Sequence, residues 1–129
     1  MTHPAYTLSV VAGRYAICRL EPAARMPDWA TSQRLFSITR TASELSIVCP
    51  EEPVPAEASC DRGWRVLELQ GPFDLATTGV VASIAGPLAT AGVSLFVIST
   101  HDTDYVLVKD AALGEAISAL AAWGHRVYQ

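Results

Sequence analysis

Between Asp74 and His101 the chain carries no charged side chain. A run of this length has to be covered, by lipid or by other parts of the protein, because so many uncharged residues in a row leave too much apolar surface in water. Residues 80–98 are long enough to cross a bilayer, but Gly86, Pro87 and Gly92 interrupt them. Ala91-Gly92-Val93-Ser94 reads as the stop of a helix and the start of a strand, so the run predicts a helix and a strand buried in a soluble core. Pro87 lies inside the helical pattern, where it removes the backbone bond to Ser83 and is expected to bend the helix. The first twenty residues lack a basic start and an unbroken apolar segment, which predicts a cytoplasmic protein.

Around this run the periodicity changes with position. Apolar and aromatic residues predict strands at 14–20, 35–40, 44–49, 64–70, 94–99 and 104–109, with an edge strand at 6–11. Thr77-Thr78-Gly79 offers a cap to a helix over 79–91 whose face is Val80, Val81, Ile84 and Leu88. A second helix, 111–122, has Asp110 as its cap and Leu113, Ala116, Ile117 and Leu120 as its face. Gly124 stops it before a last strand at 125–128. A short helix is expected around 27–33. Pro50-Glu51-Glu52-Pro53-Val54-Pro55 reads as an exposed connection unable to join a sheet.

With 129 residues, the chain has room for one domain or two half-sized lobes. The predicted order after the connection is βαββαβ, the ferredoxin-like plan. The expected fold is therefore α+β, with a degenerate lobe over 1–60 and a complete one over 61–129. Shifting residues 36–48 by sixty onto 96–108 aligns Phe, Ile and Val, and pairs Thr39 with Ser99 and Glu44 with Asp104, which suggests a duplication.

Charge narrows the function classes. Residues 1–65 hold seven positive and seven negative side chains, whereas 66–129 hold Lys109 and Arg126 against six acids, so the whole −4 lies in the second half. An acidic half repels nucleic acid and anionic membranes and suits a neutral or cationic small ligand. Cys18, Cys49 and Cys60, odd in number and without C-x-x-C spacing, read as thiols and not as a disulfide framework or zinc site. His3, His101 and His125 are scattered. No nucleophile elbow, Cys/His pair or phosphate loop is present, so neither an enzyme nor a cofactor is implied.

Two polar segments remain as candidate sites. The bend 73–80 would offer the free N–H groups of a helix start, two hydroxyls and a glycine to a carboxylate or phosphate; an ordinary capped helix start is the plainer alternative. The hairpin turn Ser99-Thr100-His101-Asp102-Thr103-Asp104 is more polar than a turn requires, although a solvated loop would have this composition too. A metal held by His101, Asp102 and Asp104 is disfavoured, because neighbours along a strand point to alternate faces.

Taken together, G-P-F-D-L-A-T-T-G-V from Gly71 to Val80, the A-G-V-S turn, and I-S-T-H-D-T-D-Y-V-L-V from Ile98 to Val108 resemble the ACT domain family. The resemblance is to tandem-ACT proteins, the regulatory ACT units of aspartate kinases and the cytosolic arginine sensor of animals, and it covers 64–128 well. It implies a non-catalytic regulatory module sensing a free amino acid between ACT units, as a homodimer and with no cofactor. The ligand carboxylate would meet the bend at Asp74, Thr77, Thr78, Gly79 and Val80, and its side chain the hairpin at Ser99, Thr100, His101 and Asp104. A basic or neutral amino acid is expected, Asp104 receiving a cationic head group. The first lobe lacks a copy of the T-T-G-V bend, and the regulated activity would belong to an unidentified partner. The competing expectation is a structural or interaction domain without a ligand.

Overall fold

The computed structural model describes residues 4–129, so His3 lies outside the described residues. The chain is mixed α+β, with strands β1 (Thr7–Leu20), β2 (Ser37–Arg40), β3 (Leu45–Pro50), β4 (Cys60–Leu69), β5 (Phe96–Ser99), β6 (Asp104–Lys109) and β7 (Arg126–Tyr128). Its helices are α1 (Val80–Thr90) and α2 (Leu113–Ala122). No helix among the described residues is long and apolar enough to cross a membrane.

Two compact units divide the chain, one formed by residues up to Ala12 with 65–129 and the other by Gly13–Trp64. The expected boundary after residue 60 cut the chain once, whereas the division falls within β1 and within β4. What was read as an edge strand at 6–11 and a separate strand at 14–20 is one strand, passing through Gly13 at φ +86°.

In the larger unit the strand order is β7-β1-β4-β6-β5. The last strand runs parallel to β1, with Thr7 opposite Arg126 and Ser9 opposite Tyr128. The expected complete lobe had only its own four strands, so the start of β1 is an addition to the ferredoxin-like plan and stands between β4 and β7. Both helices contribute to one core with Leu8, Leu67, Leu69, Val106 and Val108. From α1 this core takes Val80, Ile84 and Leu88, and from α2 Ala116 and Leu120. The expected faces are rotated slightly: Val81 is exposed, and Ile117 is only partly buried.

The caps also differ from expectation. Gly79 is the N-cap of α1 in the left-handed region (φ +81°) with no side-chain cap bond. Neither threonine hydroxyl closes the helix, because the glycine turn already aims the chain into it. Asp110 does not cap α2; it opens a 3-10 turn ahead of the helix, and its Oδ1 accepts from Arg65 Nη1 at 3.2 Å.

In the smaller unit β3 lies between β2 and β1. The short helix expected around 27–33 is a single 3-10 turn at Asp28–Ala30, and the described residues of this unit contain no α-helix. Pro50 does join the sheet, as the last residue of β3 opposite Tyr15, a strand-end position that asks little of its missing N–H. The thiol reading is corrected as well. Cys18 and Cys60 form a disulfide, and Cys49 is a buried free cysteine. The spacing of 42 residues conceals the pair, since β1 and β4 are neighbours in the sheet only after folding.

The two hairpins are alike in detail, though not in the expected register. Arg40 pairs with Leu45 as Ser99 pairs with Asp104. Thr41 N–H bonds Glu44 O at 2.8 Å, as Thr100 N–H bonds Thr103 O at 2.8 Å. By pairing and turn bond Thr41 corresponds to Thr100, an offset of 59 where the side-chain pattern suggested 60.

Ile84 is fully buried whereas Ile117 is not. Ile84→Asp should therefore abolish cooperative thermal unfolding, since an unpaired buried charge costs on the order of 4 kcal/mol or more. Ile117→Asp should remain folded with a lowered melting temperature, both read by circular dichroism. Alkylation in denaturant without reductant should label Cys49 alone, and with reductant all three cysteines. In the native protein Cys49 should label slowly, as burial pushes its thiol up to about 11 and thiolate is the reactive form.

Candidate functional site

The segment after β4 leaves the sheet and returns across the hairpin loop between β5 and β6. Phe73 N–H bonds Asp102 O at 2.7 Å, and Thr103 Oγ1 bonds Leu69 O at 2.7 Å. Gly71 makes this approach possible. A Cβ there would stand 2.9 Å from Asp102 O and 3.2 Å from Thr103 Cβ, inside the distance that real Cβ atoms keep.

Next comes a tight turn. Asp74 Oδ1 accepts Ala76 N–H at 2.9 Å and Asp74 O accepts Thr77 N–H at 2.9 Å, which sets the carboxylate back against its own main chain. The chain then enters α1 through Gly79. The first intrahelical bond is from Ser83 N–H to Gly79 O at 3.0 Å, so the N–H groups of Val80, Val81 and Ala82 have no acceptor inside the helix.

Between the bend and the hairpin lies a cavity of about 340 Å³. Of the residues expected from sequence, Asp74, Thr77, Gly79, Val80, Ser99, Thr100, His101 and Asp104 line it, and Thr78 does not. Phe73, Leu75, Val81, Ala82, Asp102 and Thr103 complete the wall. Phe73 and Leu75 fall within the expected bend and Asp102 and Thr103 within the expected hairpin turn, whereas Val81 and Ala82 lie outside both.

The lining is acidic but unevenly so. His101 Nδ1 stands 2.8 Å from Asp102 Oδ1, and Asp74 is held by its turn. The Asp104 carboxylate, at the first position of β6, has no hydrogen bond or ion pair among the described residues. Three carboxylates and no Lys or Arg in the wall favour a positively charged group. Behind the hairpin loop a second cavity of about 290 Å³ is bordered by Glu68 and Tyr105. Burial, then the carboxylates of Glu68 and Asp102, push the Tyr105 phenol above its ordinary range. No group of three or more His, Cys, Asp or Glu among the described residues is arranged to hold a metal ion.

The model of the ACT domain family matches residues 59–122, the stretch that contains both walls of the cavity. Residues 59–122 belong to the ACT domain family. A further family model, for an N-terminal domain, matches residues 13–57.

The human cytosolic arginine sensor for mTORC1 subunit 1 is 41% identical to this ACT protein over 108 residues, 78% of this chain and 32% of the sensor. The chain thus spans about a third of the length of the curated relatives it matches. A crystal structure of a protein from Agrobacterium tumefaciens, 40% identical, superposes with a TM-score of 0.91 over 97% of this chain and 93% of that one. The regulatory subunit of aspartate kinase from Thermus flavus, 12% identical over 93% of this chain and 99% of that one, shares the fold with a TM-score of 0.63.

The close approach at Gly71 gives a direct check on how the two walls are held. Gly71→Ala should lower stability by about 1–3 kcal/mol, as other small-to-large changes at packed positions do. In chemical denaturation, a midpoint equal to that of the wild type would contradict the described contact.

Proposed function

We propose that this ACT domain binds a free amino acid in the cavity between the bend and the hairpin, with a cationic side chain preferred. One observation carries the reading: the first turn of α1, whose N–H groups have no acceptor inside the helix, and Asp104, whose carboxylate has no bond among the described residues, line the same cavity. An α-carboxylate suits the N–H groups at Val80, Val81 and Ala82, where helix dipole and donors coincide. Thr77, Thr78 and Gly79 flank that position. The side chain then extends toward Ser99, Thr100 and His101, and a guanidinium or ammonium group meets Asp104.

The module acts by binding and carries no catalytic residue; the regulated activity resides in a partner. A second copy of the chain covers the site. In support, Leu75 is 73% exposed and Val81 36% exposed at the cavity wall, and apolar side chains placed there favour a covering surface. Within the other unit, residues 13–57 supply no equivalent bend and serve as a scaffold.

The alternative, an interaction domain without a ligand, has the turn-internal bonds of Asp74 and Thr100 in its favour. Calorimetry separates the two. L-arginine should bind more tightly than leucine and far more tightly than aspartate, and Asp104→Asn should weaken arginine by about tenfold, the usual scale for a charge-assisted bond. Aspartate as the tightest ligand, or an unchanged arginine affinity in Asp104→Asn with an unchanged melting temperature, would overturn the assignment. Light scattering with and without arginine tests the covering copy.

A further inference from the structure

Pro87 lies inside α1. A helical carbonyl bonds the N–H four residues later, so the Ser83 carbonyl is the one left without a backbone partner by the proline ring. A carbonyl withdrawn from water needs another donor. His125, 3% exposed, supplies one: its Nε2 stands 3.0 Å from Ser83 O. Its Nδ1 accepts the N–H of Tyr6 at 3.0 Å. A carbonyl can only accept and an amide N–H can only donate, so the ring is the neutral imidazole with its hydrogen on Nε2.

The ring also stacks on Tyr6, with centroids 5.7 Å apart and planes at 16°. Tyr6 in turn meets Phe73 edge-on, at 5.6 Å and 81°. Phe73 and the first turn of α1 both line the cavity. His125 itself is not part of the lining, yet it holds the segment on either side of the bend.

We propose that His125 is the positioning residue of this cavity, its Nε2–H standing in for the donor that Pro87 lacks and its Nδ1 securing Tyr6 and thereby Phe73. The affinity part of this inference rests on the amino-acid reading of the cavity; the structural part does not.

Only the neutral ring performs both tasks, since a second proton on Nδ1 would face the Tyr6 N–H. Around the ring, Tyr6, just ahead of β1, stacks on it, and the Leu120 carbonyl of α2 accepts the His125 main-chain N–H.

A double-mutant cycle between His125→Phe and Pro87→Ala tests this, because alanine restores the backbone N–H that bonds Ser83 O. With L-arginine as the probe, His125→Phe should weaken binding roughly tenfold in the Pro87 background and by less than about threefold with Pro87→Ala. Equal losses in both backgrounds would overturn the proposal.

The free protein gives an independent reading by amide NMR. His125→Phe should shift the amides of Phe73, Val80, Val81 and Ala82 while leaving Ile47 and Val48 in place, and adding Pro87→Ala should return those of the helix turn. Unmoved amides would refute the positioning role even if arginine binds. Absence of arginine binding by the wild type, with the amide shifts as expected, would refute only the amino-acid reading. Should His125→Phe not fold, His125→Asn, which keeps an acceptor near the Tyr6 N–H, takes its place in both measurements.

Discussion

The uncharged helix α1 is held by what covers it. It has no ion pair to a neighbour and no side-chain cap, and its proline leaves one carbonyl unsatisfied. Val80, Ile84 and Leu88 bury one face in the core of the larger unit, which supplies the non-directional part of the attachment. His125 supplies the directional part, one hydrogen bond at Ser83 O. Apolar burial tolerates small rotations of a helix, whereas a bond of 3.0 Å to a particular carbonyl does not. The orientation of the first turn, and so of the N–H groups at the cavity, follows from that bond.

Opposite the helix, the hairpin loop is organised largely by main-chain bonds. Thr100 and Thr103 bond one another across the turn, Thr103 Oγ1 reaches Leu69 O, and Phe73 N–H reaches Asp102 O. Asp102 stands against His101 and Asp74 against Ala76 N–H, whereas the Asp104 carboxylate has no bond among the described residues. The related hairpin of the smaller unit uses the same threonine turn at Thr41 but has Leu45, buried, at the place of Asp104. One architecture thus serves a packing role in one unit and presents a carboxylate in the other.

Most elements of the larger unit were legible from periodicity, because each strand and helix there buries one side and its apolar residues recur accordingly. The two polar bends were legible as separate candidates, and only the family resemblance joined them into one expected site. Less legible were features that depend on partners distant in sequence. The hydroxyls of Thr77 and Thr78 looked like caps by composition, but the left-handed Gly79 made a cap bond unnecessary. Asp110 looked like a cap and instead accepts from Arg65, 45 residues away. The 59-residue offset between hairpins escaped a comparison of side chains, because apolar residues match under neighbouring offsets and only the turn bonds distinguish them.

By itself the sequence determined the α+β character, the acidic second half, the helix and strand within residues 75–100 and the existence of a Ser83 carbonyl without a backbone partner. These follow from local chemistry: alternation, helical period, net charge and the missing N–H of a proline. Tertiary structure alone decided that β1 passes through both units, that Cys18 meets Cys60, that Gly71 admits the hairpin loop, and that His125 reaches Ser83 O. Each of these depends on which distant segment comes to lie alongside. A sequence states that a donor is needed, and only the packed chain brings one within bonding distance.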